Sequence, residues 1–375
     1  MVRKLAFRIG IVLASSLVLL SLLELGVALS GFEYPPADSP LDLVDPNMRV
    51  EGRLLHESSV RQIWRPRPGA TIPWGHNDRV NDDGFRGPLV PVARTPGVLR
   101  IATMGDSSTF GHSVAWEETY SAQLAAQLAA EGVRCEVIDA GVVGSSIRQG
   151  LERYEEQVSR YKPDIVIAAF GAVIDHVEAP GGIDDDALIR QNVLAHRGLR
   201  IIAQRWRRDL RSLHLLAWCL DELRGGRARM RGEAHDREML RSHLVTTMGT
   251  VDWKGVRRVS PDQFEQDLLL LRDQVARDGG RMILLSMPHR GVVEIQSPVV
   301  LEYNKRILAV GERKHIPVVD GRGAFSQAIR DQHTIPDLMV DNFHPSPIGH
   351  EYLARALCAE ILRTVPGSFS RPRRS

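Results

Sequence analysis

Two short stretches near opposite ends of the chain carry residue types that could do nucleophilic chemistry. Gly105-Asp106-Ser107-Ser108-Thr109-Phe110-Gly111 follows a short apolar run, and Asp341-Asn342-Phe343-His344-Pro345 precedes a final helical pattern. A serine set between a strand end and a helix start has its backbone N–H aimed at whatever binds there, which suits an oxyanion. Asp, Ser and Thr are also the preferred helix-capping residues, so the first stretch alone reads equally as a helix start. The second stretch shifts the balance. An Asp three residues before a His can hydrogen-bond one imidazole nitrogen while the other faces a serine, holding the tautomer that a general base needs.

Residues so far apart in sequence need a scaffold that brings them together, and the pattern between them supplies one. Val98 to Met104, Cys135 to Ile138, Asp164 to Phe170, Met282 to Ser286 and Pro317 to Val319 read as strands. Between and after them, Thr119 to Ala130, Gln149 to Arg160, Asp262 to Arg277, Val300 to Gly311 and Pro347 to Leu362 read as helices. Strands alternating with helices imply right-handed crossovers and a parallel sheet covered on both faces, with ligands at the carboxyl ends of the strands.

The rest of the chain frames this domain. Arg3, Lys4 and Arg8 precede an uncharged run from Ile9 to Leu23, and apolar residues continue past the single Glu24 to Leu29. At about 1.5 Å per residue this stretch reaches roughly 31 Å, enough to cross a bilayer core. The positive flank predicts a cytoplasmic N-terminus and an exported body. A signal peptide cleaved after Ala28-Leu29-Ser30 is the competing reading, leaving a secreted or periplasmic protein. The expected division is an anchor or signal segment at 1–31, a Pro/Gly/Asp-rich linker and irregular lead-in at 32–96, a domain at 97–365 and a basic tail at 366–375. A helical insertion interrupts the domain at about 179–259, with apolar positions such as Ile201, Ile202, Trp206, Leu210, Leu213 and Leu216. Thirteen arginines against six acidic residues between Arg190 and Arg241 make it either a solvated helical surface or one that meets anionic lipid or glycan.

Composition excludes several classes. A net charge of +2 gives no support to nucleic-acid binding, and 43% hydrophobic residues can fill a core. Cys135, Cys219 and Cys358, odd in number and widely spaced, read as small apolar core residues rather than a disulfide framework or zinc site. No G-x-S-x-G elbow, P-loop or histidine pair of metal-binding helical spacing occurs, and no metal or cofactor is expected.

The Gly105-Asp106-Ser107 turn, the Ala140-Gly141-Val142-Val143-Gly144 turn, the Gly171 turn and the terminal Asp341 and His344 resemble the ordered blocks of SGNH (GDSL-type) hydrolases. The resemblance spans about Val98 to Leu362, and Asn81 to Arg86 looks like the lead-in of a membrane-anchored envelope subgroup, although it also reads simply as a turn. It implies a flavodoxin-like three-layer α/β sandwich. It also implies Ser107 as nucleophile, His344 as base, Asp341 as orienting carboxylate, and the backbone N–H groups of Ser107 and Gly144 as part of the oxyanion hole. One block departs from the pattern. Where the family places Gly-x-Asn-Asp, this chain reads Gly171-Ala172-Val173-Ile174-Asp175-His176, so neither Val173 nor Ile174 can supply the family's asparagine donor. The leading expectation is a serine ester hydrolase, an esterase or carbohydrate deacylase, acting on an acylated small molecule, glycan or lipid. An envelope polysaccharide O-acyltransferase uses the same residues with a sugar hydroxyl as acceptor, and a non-catalytic glycan- or partner-binding module would account for the missing asparagine.

Overall fold

The computed structural model describes residues 2–32, 49–50, 53–74, 78–172, 174–179, 182–195, 210–223 and 254–364. The expectations for Val173, for 33–48, 51–52 and 75–77 of the linker and lead-in, for 196–209 and 224–253 of the insertion with Ile201, Ile202, Trp206 and most of its arginines, and for the tail from Pro366 fall outside these residues. An N-terminal helix α1 (Val2–Leu29) and a hairpin of β1 (His56–Ser59) and β2 (Ile63–Pro66) precede the main domain. The domain then runs β3 (Leu99–Gly105), α2 (Ser107–Phe110), α3 (Tyr120–Ala130), β4 (Cys135–Asp139), α4 (Ile147–Arg153) and β5 (Ile165–Ala169). After α5 (Asp185–Ala195) and α6 (Arg211–Leu223), it continues with α7 (Pro261–Arg277), β6 (Arg281–Ser286), α8 (Val300–Lys314), β7 (Val318–Asp320), α9 (Gly321–Arg330) and α10 (Pro347–Thr364).

Five parallel strands pair in the order β4-β3-β5-β6-β7. This is the flavodoxin-like order, in which the chain reverses direction across the sheet beside its first strand and leaves a crevice at the carboxyl edge. Strand residues alternate between two cores. Leu99, Ile101, Ile165, Ile167, Ile283 and Leu285 pack with α3, α9 and α10, whereas Ala102, Met104, Val166, Ala168, Met282 and Leu284 pack with α4, α7 and α8. Burial on both faces explains why these strands read as unbroken apolar runs. The three-layer α/β architecture expected from the sequence is the one observed, with β3 and β5 buried along their whole length.

Several elements differ from the sequence reading. The helix expected from Gln149 begins at Ile147, capped by Ser146, and passes into a π-helical turn over Tyr154–Val158. Helix α9 has no counterpart in the sequence pattern. Only Cys358 of the three cysteines is fully buried, and Cys135 and Cys219 are half-covered. The lead-in carries no sustained period yet holds buried Leu55, Ile72 and Val80 against Phe110 and Val143. Beyond the β1–β2 hairpin its pairing runs through isolated bridges such as Thr71 with Arg79 and Arg86 with Asp139, which leave no alternation to detect. The insertion leaves and returns side by side, with Ala179 N–H donating to Val256 O and Arg258 N–H to Val177 O.

Candidate active site

The first turn is shaped by close contact. A side chain at Gly105 would overlap Thr109 Oγ1 and come within 2.5 Å of Ala169 O, so only glycine lets β3 end this close to α2 and β5. Asp106 caps α2 by accepting the Ser108 amide at 2.9 Å. Burial raises the Asp106 pKa, opposed by that amide and by the charge of His344. Ser107 is the first residue of α2, 8% exposed, at the carboxyl edge of the sheet.

The second stretch arrives from the far side of the domain. Asp341 Oδ1 accepts the amides of Phe343 and His344, each at 2.8 Å, and Oδ2 accepts a hydrogen bond from His344 Nδ1 at 2.7 Å. One carboxylate thus folds its own turn and orients the imidazole. Burial pushes the Asp341 carboxyl up, but the bond and charge of His344 and the two amides outweigh it and hold the group well below the usual carboxylate range. The other imidazole nitrogen, Nε2, lies 2.8 Å from Ser107 Oγ. Ser108 Oγ donates to Phe343 O at 3.3 Å and ties the two turns together. Ser107, His344 and Asp341 therefore form one hydrogen-bonded chain.

Gly144 sits in the loop after β4 with a left-handed φ of 72°. That loop is bound to the first turn, since Val142 N–H donates to Gly105 O at 3.0 Å and a Cβ on Gly141 would strike Phe110 N. Arg258 Nη1 donates to Gly144 O at 2.7 Å from the other side. Among the described residues no protein acceptor meets the Ser107 or Gly144 amide.

The turn after β5 is organised differently. Asp175, not an amide, is its anchor, accepting Gly171 N–H at 2.9 Å and Ile147 N–H at 2.8 Å. Burial pushes its pKa up to about 7 against those two amides and Arg258. Ile174 opens a short 3₁₀ turn, and neither it nor Asp175 offers a neutral amide donor.

Three supporting residues escaped the sequence reading. The His112 ring stacks on His344 at 4.3 Å and 23°, and Trp74 packs on His112 at 4.3 Å. Arg86, fully buried, donates to the carbonyls of Phe110, Gly111 and Val114, fixing the chain that follows the serine. The Asn81-to-Arg86 segment is indeed a turn, with Asn81 Oδ1 accepting the Asp83 and Phe85 amides at 3.0 and 3.1 Å. Nothing in a lone His or Arg distinguishes these roles, because their partners are a ring and carbonyls brought by the fold. His112, Asp341 and His344 also place three potential metal-ligand atoms within 4.8 Å of one another. Both ring nitrogens of His344 are already engaged in the chain from Asp341 to Ser107, so an ion there would have to break it. A cavity of about 610 Å³ lies elsewhere, lined by Arg148, Asp186, Arg190 and Arg258 and by none of Ser107, Asp341 or His344. Its charges pair with one another or with neighbours, as Arg190 does with Asp186 and Arg258 with Asp185.

No protein-family model and no curated protein matches the chain. Solved structures similar to it include a lipase/acylhydrolase from Enterococcus faecalis, 17% identical with a TM-score of 0.44 and covering 74% of this chain and 100% of that one. An acetylxylan esterase from Geobacillus stearothermophilus is 18% identical with a TM-score of 0.43, covering 73% of this chain and 97% of that one. An alpha/beta hydrolase from the metagenome of Lake Arreo, Spain, is 19% identical with a TM-score of 0.42, covering 70% and 94% respectively. At these identities and scores the likeness assigns no activity, and the chemistry has to come from the site.

Proposed function

We propose that the chain is a serine ester hydrolase, with Ser107 as nucleophile, His344 as general base and Asp341 as the carboxylate that orients and stabilises the imidazolium. The observation that supports this is the unbroken path from Asp341 Oδ2 through His344 to Ser107 Oγ, with steps of 2.7 and 2.8 Å. In that geometry Ser107 Oγ attacks the ester carbonyl while its proton passes to His344 Nε2. The carbonyl oxygen becomes an oxyanion held by the Ser107 and Gly144 N–H groups. The C–O bond then breaks, and the alcohol leaves with the proton from His344. Water repeats the sequence on the acyl-Ser107 ester and releases the acid. The substrate class is an acylated small molecule, glycan or lipid.

The location is part of the same reading. Gly10–Leu29, with a mean hydropathy of 2.3, is long and apolar enough to cross a membrane. With Arg3, Lys4 and Arg8 before it, α1 would keep the N-terminus in the cytoplasm and place the domain at 97–365 outside. An intact mass starting at Gly31 would instead indicate cleavage and a released protein.

Labelling with a fluorophosphonate probe tests the chemistry. A phosphonylated peptide containing Ser107, absent from Ser107→Ala, is the expected result. An inert wild-type protein overturns the hydrolase reading in favour of a binding module.

A further inference from the structure

The sequence places one charged residue, Glu24, inside the apolar stretch from Gly10 to Leu29. A carboxylate at membrane depth is expensive unless a partner satisfies it. Its partner is the start of α6. Glu24 Oε1 accepts the Arg211 amide at 2.7 Å, and Oε2 accepts the Ser212 amide at 2.8 Å and the Ser212 hydroxyl at 2.6 Å. These amides belong to the end of a 13-residue helix that is left without intrahelical acceptors and carries its positive dipole. One helix therefore caps another with a side chain 187 residues away.

Further contacts extend the pairing. Val27, one turn beyond Glu24, is 8% exposed, whereas the residues from Gly10 to Leu23 are exposed. Phe32 meets Trp218 edge to face at 6.0 Å. The contacts advance by eight residues on one segment and by about seven on the other, so α6 runs beside the end of α1 in the same direction. At about 1.5 Å per residue, α6 begins roughly 8 Å short of the Leu29 end of the apolar span, and Leu216 lies level with that end. Along the side of α6 that α1 leaves open, Leu216, Leu220 and Leu223 recur at i, i+4 and i+7 and are 54%, 41% and 84% exposed.

We propose that α6 is a second membrane-contacting element, fastened to the membrane helix through Glu24 and setting Leu216, Leu220 and Leu223 against lipid at the outer boundary of the bilayer. The proposal rests on reading α1 as an uncleaved anchor. Lipid is the occupant because the cap at Glu24 fixes the start of α6 within the apolar stretch from Gly10 to Leu29, beside the exposed apolar side chains of α1. Trp218 then stands at the boundary that tryptophan favours. The insertion would thereby hold the domain to the membrane surface instead of leaving it tethered by the lead-in alone.

The full-length chain reconstituted into phosphatidylcholine vesicles tests this. Flotation reads the anchor, and quenching of the emission added by Leu220→Trp reads the stripe, using either lipid nitroxides near the headgroup or aqueous iodide. The expected result is flotation together with at least twofold stronger quenching by the nitroxide lipid than by iodide. Flotation with iodide quenching overturns the proposal and leaves the anchor standing. Flotation with protection from both quenchers also overturns it, because protein then covers the stripe. A chain that does not float overturns the anchor and this inference together. Glu24→Ala, with far-UV circular dichroism unchanged, should still float but lose at least half of the lipid quenching; unchanged quenching overturns the fastening by Glu24.

Discussion

At the carboxyl end of β3 the chain turns at Gly105 and is held by Asp106, whose carboxylate accepts the Ser108 amide at 2.9 Å. At the carboxyl end of β5 it turns at Gly171 and is held by Asp175, which accepts the Gly171 amide at 2.9 Å. Each turn is buried, each is bounded by a glycine that larger residues could not replace, and each relies on an aspartate to satisfy backbone amides. They differ in what they present. The first offers a hydroxyl 2.8 Å from an oriented imidazole. The second offers Ile174 and an inward carboxylate that is consumed by holding the turn. The same backbone device can therefore build a reactive position or only a support, and the side chain placed on it decides which.

Ser107→Ala strikes the comparison hardest. Turnover on a short-chain aryl ester should fall by about 10⁶-fold, with the melting temperature unchanged because the residue sits in a turn at the sheet edge rather than in the core. A variant that keeps the wild-type rate would mean the first turn is not the reactive one. Ile174→Asn asks whether the second turn can be equipped like a complete one. One oxyanion donor is worth on the order of 10² to 10³ in turnover, so this variant or Val173→Asn should gain at least several-fold in kcat with little change in KM. If the wild type is fast and both variants are slower, another group already completes the hole.

A third turn, after β4, sharpens the comparison through pH. Asp139 Oδ1 accepts the Gly141 amide at 2.9 Å, and burial pushes the carboxyl up to about 6. A raised pKa means that the protonated form favours the fold. That contribution is complete below the unfolded value of about 4 and is lost as pH rises through about 6, amounting to about 3 kcal/mol. Asp139→Asn keeps the acceptor and carries no charge, so its melting temperature should fall less than that of the wild type between pH 4 and pH 7. Equal pH profiles for the two proteins would show that Asp139 does not set this dependence. The smallest effect is expected at His112. Its ring stacks on His344 at 4.3 Å, and an aromatic pair is worth about 1 kcal/mol, so His112→Ala should lower kcat roughly three- to tenfold at constant KM. A change in KM alone would move His112 from supporting the imidazole to contacting substrate.

Much of this molecule was legible without coordinates because its determinants are local or periodic. Continuous apolar runs at Leu99–Gly105 and Ile165–Ala169 announced strands buried on both faces. The contact of Asp341 with His344 spans three residues, so turn chemistry alone brings it within reach. Beyond its β1–β2 hairpin the lead-in was opaque because its chain pairs through single bridges with no repeat. Other decisions belong to the tertiary structure. The contact of Ser107 with His344 crosses 237 residues and depends on the order in which five strands were laid side by side. Arg86 finds carbonyls, which every residue carries, so no pairing of residue types could point to it. Glu24 read only as the single charge in an apolar run, and its partners came from the first amides of a helix packed beside it, since a helix end presents donors whatever its sequence. Patterns along a chain report what each segment must bury; which buried groups then meet is settled only when the segments pack.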